Sequence, residues 1–228
     1  MKRIFVIVLA SLIAGASAGA QNFEPREFWP YKYYDFQPGS IFDGQKTTEY
    51  DLLNVCVWDG HLHSAQSGTI MEMAAGTIVV ARLGQDVWLN VGGRLMQMFN
   101  ETEHGAVVRS FLVDTDELGK ADIGYGKSST ASTQNVSLMS LSGSNMNTKS
   151  LISAQDARTS GMKLPVKGSY YIVVDGIAIK AVKSEVASQP GIDKDALKAY
   201  LKSNKVRWTR PDDLAGLVEF IHSQKAAK

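Results

Sequence analysis

Asp59, His61 and His63 stand at alternating positions, the spacing that gathers side chains on one face of an extended chain. The two imidazoles then point the same way, and the carboxylate joins them if the extended run continues back through Asp59-Gly60. Carboxylate and imidazole together suit a divalent ion such as zinc. Asp59, His61 and His63 are therefore a candidate metal face, and a metal-dependent hydrolase is one function it would serve. A plainer account competes, in which these are strand-face histidines, exposed or hydrogen-bonded, with no cofactor. The absence of a clear further ligand favours the plainer account. His104 is remote in sequence, and His222 falls in the last helical pattern. Cys56, the only cysteine, lies between Val55 and Val57 and reads as a buried, inert thiol. A single cysteine also rules out an intramolecular disulfide framework and a cysteine-rich zinc module.

The second chemically suggestive stretch is aromatic. Residues 23–36 hold Phe23, Phe28, Trp29, Tyr31, Tyr33, Tyr34 and Phe36, punctuated by Pro25 and Pro30, which argue against helix. Exposed together, Trp29, Tyr31 and Tyr33 would stack on sugar rings and bind a glycan. The same rings would equally clamp the segment across a sheet as core, and the area that aromatic side chains bury favours that role. Other motifs carry less. Residues 121–128 read A-D-I-G-Y-G-K-S, a relaxed phosphate-loop pattern that has Ala121 in place of the first glycine. The polar stretch before it and the Ser/Thr-rich stretch after it supply neither the buried strand nor the helix that such a loop needs, so a surface turn is expected. No Gly-x-Ser-x-Gly elbow occurs, which weighs against a serine triad. Met96 and Met98 share a strand face with Arg94 and read as packing. Lys194, Lys198 and Lys202 form a solvated helical row.

The 228 residues, 44% of them hydrophobic, suffice for a sizeable core, and a net charge of +1 argues against a nucleic-acid partner. Residues 1–20 have the order of an export signal. Lys2 and Arg3 precede an apolar run over 4–14, and Ala16-Ser17-Ala18 and Ala18-Gly19-Ala20 follow as small-residue cleavage sites. Cleavage would leave a chain beginning at Gly19 or Gln21. That chain has 22 basic and 23 acidic residues, a charge of −1, and no segment apolar enough for a transmembrane helix. A lone cysteine in an exported chain suits a bacterial envelope, either the periplasm or the outer-membrane and extracellular side.

The elements that must position these residues are mostly strands. Short runs at 52–58, 61–66, 69–73, 77–83, 87–91, 94–99 and 106–113 are separated by Asp59-Gly60, Ser67-Gly68, 84–86 and Gly92-Gly93. Residues 37–40 read as a turn before a short strand at 41–42. A hairpin at 170–182 turns at Asp175-Gly176, and 135–141 is a further candidate strand. Asp193 is placed to cap a helix through Ser203, and Pro211 to open a second whose stripe is Leu214, Leu217, Val218 and Ile221. The expected fold is mainly β: an antiparallel meander, sandwich or open barrel, then a hairpin backed by two helices. The expected layout is a signal peptide at 1–20, a β-rich domain at 21–113, a Ser/Thr-rich loop or linker at 114–161, and a hairpin plus two-helix module at 162–228. Within 124–150, eight serines and three threonines among 27 residues leave little to bury.

The run from Phe36 to Gly44, Leu53-Asn54-Val55, Gly124-Tyr125-Gly126, Tyr170-Tyr171 with its Val-Asp-Gly turn, and Asp212-Asp213-Leu214 together resemble a family of exported bacterial envelope proteins. That resemblance implies export and a β-rich fold with terminal helices, and it transfers no catalytic residue. The leading functional expectation is a non-enzymatic binding or structural interaction module of the envelope, with another envelope protein or a glycan as partner. Such a module could also associate with itself through a sheet edge.

Overall fold

A computed structural model gives the fold of residues 30–114, 148–150 and 166–226. The candidate export signal, Trp29, the loop at 121–128, the candidate strand at 135–141 and most of the Ser/Thr-rich stretch lie outside the described residues. The fold is mainly antiparallel β, a curled half-barrel sheet with helices at the carboxy-terminal end. Eleven strands are present among the described residues. They are β1 Gln37–Phe42, β2 Thr47–Val55, β3 Leu62–Gln66, β4 Thr69–Glu72, β5 Val80–Leu83 and β6 Asp86–Val91, followed by β7 Arg94–Thr102, β8 Gly105–Val113, β9 Thr148–Ser150, β10 Val166–Val174 and β11 Ile177–Lys180. Their spatial order is β11-β10-β8-β7-β6-β5-β1-β2-β3-β4-β9.

Two meanders make up this order, joined where β1 pairs with both β2 and β5. The junction corrects the expected turn at 37–40, because those residues belong to β1. Pro38 has no amide hydrogen to give to a ladder, and it sits where the β1–β2 register shifts between Gln37 and Gly39, a place that tolerates proline. Gly39 is required by the close approach of β5, since a Cβ there would lie 2.2 Å from the Arg82 carbonyl oxygen. Turn-forming composition is overridden here by pairing on both sides.

Cross-strand register places Ala81, Trp88, Gln97, Arg109 and Tyr170 on one face of the sheet. One half of that face is an apolar core of Ile41, Leu53, Val55, Leu62, Leu83, Trp88 and Leu95, with Phe111 packed against it. The other half is covered by three helices: α1 Lys183–Ala187, α2 Lys194–Ser203 and α3 Pro211–Ala226. Arg109 lies between the halves, its guanidinium 4.8 Å from the Phe111 ring and 5.3 Å from the Tyr170 ring. Gly168 leaves the room it occupies.

Among the described residues, three helices stand at the carboxy-terminal end where two were expected. The extra one, α1, spans five residues and buries only Val186, too little for apolar periodicity to reveal it. In α2, Asp193 accepts from the amides of Asp195 and Ala196 at 2.8 and 2.9 Å. The Leu214, Leu217, Val218 and Ile221 stripe of α3 is fully buried against Val107, Ile172, Val174 and Ile179. Burial at ~1.5–3 kcal/mol per large apolar side chain outweighs intrinsic helix propensity in holding these short helices. The β-rich region and the carboxy-terminal module share one sheet, since β10 pairs with β8 from Val166↔Val113 to Val174↔Gly105. Among the described residues no helix is long and apolar enough to cross a membrane.

Candidate metal centre

The centre is built where β2 hands over to β3. After Val55 the chain leaves the ladder: the Cys56 amide donates to the His61 carbonyl at 2.8 Å, and the Gly60 amide donates back to the Cys56 carbonyl at 2.9 Å. Gly60 takes a φ of +81°, the left-handed conformation that glycine adopts without strain. Asp59 Oδ1 accepts the His61 amide at 2.9 Å and so closes an Asx turn. On the other side, the aromatic segment lies against this connection through the Tyr31–Cys56 bridge and the hydrogen bonds Lys32 N–Val55 O and Val57 N–Pro30 O, both 2.8 Å.

β3 then sets His63 opposite Asn54 of β2 and Glu72 of β4, so those side chains share a face. Two donor groups result. Cys56 Sγ, a carboxylate oxygen of Asp59 and a ring nitrogen of His63 lie within 4.8 Å of one another. Asp59, His61 and Glu72 satisfy the same limit, and Asp59 belongs to both groups. The first group is inner, with Cys56 and His63 only 3% and 5% exposed. The second faces solvent, its three side chains each about one-third exposed.

The expected Asp59-His61-His63 face is thus divided between two groups. β3 begins only at Leu62, so His61 precedes the strand and turns to Glu72. Its Nδ1 lies 2.8 Å from Glu72 Oε1 and 3.8 Å from Asp59 Oδ2. His63 turns inward, its Nδ1 2.8 Å from the Tyr31 hydroxyl. Sequence reasoning missed two members. Cys56 is the buried thiol the sequence leads one to expect, and its three-residue separation from Asp59 across a tight turn is what the sequence reading did not use: it brings the thiol beside the carboxylate. Glu72 follows from the β3–β4 hairpin register, which Ser67-Gly68 announces but does not number.

Burial above all, and then the Asp59 carboxylate, push the Cys56 thiol well above its ordinary range. The ion-free protein therefore holds a neutral thiol there, a poor nucleophile. Burial likewise raises the Tyr31 hydroxyl, with Cys56 and Asp59 adding to the effect, so it stays protonated as a hydrogen-bonding group.

The aromatic candidates are tied into the fold. Tyr31 is 4% exposed and packs edge-on against Phe36 and His63, at centroid distances of 4.8 and 5.5 Å. Tyr33 is half-buried; its hydroxyl donates to Asp86 Oδ2 at 2.5 Å and accepts from Trp88 Nε1 at 3.0 Å. Tyr31 accordingly offers no exposed face for a sugar. The remaining histidines lie apart, His104 in the β7–β8 turn and His222 on α3, with rings stacked at 3.8 Å. His104 Nδ1 is 2.6 Å from Glu219 Oε2, and His222 Nδ1 is 3.5 Å from Asp175 Oδ1.

No family model matches this chain, and neither the curated proteins nor the solved structures contain a match to it.

Proposed function

We propose that this protein is an exported, non-enzymatic binding module that holds a divalent ion, zinc or one of similar softness, between Cys56, Asp59 and His63. The observation carrying this reading is that three different donor types converge within 4.8 Å at the rim of the core. Ligand atoms ~2.0–2.3 Å from a tetrahedral zinc stand roughly 3.3–3.8 Å apart, so small side-chain movements would close the cage. A thiolate and a carboxylate balance the charge of a dication, which offsets much of the cost of placing it beside buried residues. Tyr31, hydrogen-bonded to His63, supplies the outer partner that orients a ligating imidazole. Export is supported by the basic, apolar and small-residue order of residues 1–20.

Cobalt titration of the purified chain tests this directly. A thiolate ligand gives a sulfur-to-cobalt charge-transfer absorption in the near ultraviolet, expected to grow to saturation and to be lost in Cys56→Ser. His63→Ala should weaken binding at least ~100-fold, as loss of one of three ligands implies. An unaltered circular dichroism spectrum would show that each variant still folds. No sulfur band in the wild-type protein would overturn the reading. A zinc-loaded protein that cleaves activated esters or phosphoesters in a His63-dependent manner would replace its non-enzymatic part with the hydrolase alternative.

A further inference from the structure

We infer that the centre is dinuclear: a second divalent ion binds at Asp59, His61 and Glu72, with the Asp59 carboxylate bridging it to the ion at Cys56 and His63. This rests on the inner metal site proposed above and extends it. The argument begins from the shared residue. Among the described residues, Asp59 is the side chain shared by both donor groups, and a carboxylate has two oxygens with which to serve two ions. Its position is fixed from the backbone, because Oδ1 accepts the His61 amide at 2.9 Å while Oδ2 lies 3.8 Å from His61 Nδ1.

The outer donors already converge: His61 Nδ1 is hydrogen-bonded to Glu72 Oε1 at 2.8 Å, a pair that has to part by a fraction of an ångström to admit an ion between them. Their chemistry differs from that of the inner group. One nitrogen and carboxylate oxygens, without sulfur, suit a harder or borderline ion such as manganese, iron(II) or zinc. Their partial exposure leaves coordination positions for water, so the outer ion exchanges while the inner one is retained. Charge leaves the pair one short: Cys56, Asp59 and Glu72 supply three negative charges against four positive ones, so an anionic ligand on the outer ion completes the balance. A single ion at Cys56 and Asp59 leaves Glu72 to hold His61 alone, whereas a second ion would find one unshared carboxylate, one imidazole and half of a bridge. Carboxylate-bridged ions stand ~3.5–4 Å apart, and a ligand bearing a carboxylate or phosphate oxygen could displace water from the outer one.

The cobalt titration separates this inference from the reading beneath it when carried to saturation. Two equivalents are expected, the first bringing the sulfur band and the second adding visible ligand-field absorption without further sulfur intensity. Glu72→Gln and, separately, His61→Ala should each abolish the second equivalent while leaving the sulfur band and one equivalent intact. Retention of that band also certifies that the variant is folded. A sulfur band saturating at one equivalent, with no second uptake, removes the outer ion and leaves the inner site standing. Two equivalents in both variants would mean the second ion binds elsewhere, and would equally overturn the inference. Absence of any sulfur band removes both.

Discussion

Tyr31 meets the candidate centre through its hydroxyl, 2.8 Å from His63 Nδ1, and through its ring, which packs edge-on against both His63 and Phe36. The two contributions can be separated by removing the oxygen alone. Tyr31→Phe should lower inner-site metal affinity ~10–100-fold, the usual effect of losing an outer partner of a ligating histidine. It should also cost about 1–3 kcal/mol of stability in the ion-free protein, because a buried ring nitrogen loses its partner. Competition with a chromophoric chelator measures the first effect and urea unfolding the second. Equal affinities in wild type and Tyr31→Phe would show that the hydroxyl serves the fold alone.

At the scale of elements, the sheet and α3 meet at Gly105, the first residue of β8. A Cβ there would lie 1.9 Å from the Val173 carbonyl oxygen and 3.0 Å from Val218 Cγ1 of the helix. The nearer obstacle is backbone, so relaxation requires the β8–β10 pairing to part, with Val218 of α3 giving way as well. Gly105→Ala is expected to destabilise the protein by about 1–3 kcal/mol, the range for overpacking a tight site. Thermal unfolding followed by circular dichroism checks this, and a variant as stable as wild type would mean the contact yields more easily than its geometry implies. The same alanine change at Gly176 meets no atom within 4 Å. Any cost there reflects its φ of +78° rather than crowding.

Considered as a whole, the molecule has a polar fastening between α3 and the sheet beyond the apolar core. Asn100 Nδ2 donates to Asp212 Oδ1 at 3.1 Å, Glu219 pairs with His104, and His222 faces Asp175 of the β10–β11 turn. Burial tends to raise the Glu219 carboxyl. Hydrogen bonds from the His104 ring, Thr102 and the His104 amide outweigh this and hold it below the ordinary glutamate value. A carboxyl lowered in the folded state contributes stability above its unfolded pKa, about 4.3, and loses that contribution as pH falls through the folded value. Wild-type stability should therefore decline from about pH 5 towards pH 3, and Glu219→Gln should decline less over the same interval. Urea midpoints across that range test this, and parallel curves for the two proteins would contradict it. Because other lowered carboxyls such as Asp213 titrate in both proteins, the difference between the curves isolates Glu219.

Local pattern determined much of this protein. Alternation and the Asp-Gly, Ser-Gly and Gly-Gly pairs marked most strands and their turns, because pleat and turn conformation are properties of a few adjacent residues. The Asp193 cap and the α3 stripe were legible for the same reason. The donor residues Asp59, His61 and His63 were visible as types at a suggestive spacing, and nothing in that spacing revealed that they divide into two groups. Tertiary structure decided the rest. The insertion of β1 between β2 and β5 drew residues 37–40 into the sheet. The register across β2, β3 and β4 put Glu72 beside His61. The bridge to Tyr31 laid an aromatic wall over Cys56 and His63. Each of these depends on which distant strands pair and in what register. That choice is made by the summed burial and hydrogen bonding of the whole sheet, so no window of neighbouring residues contains it.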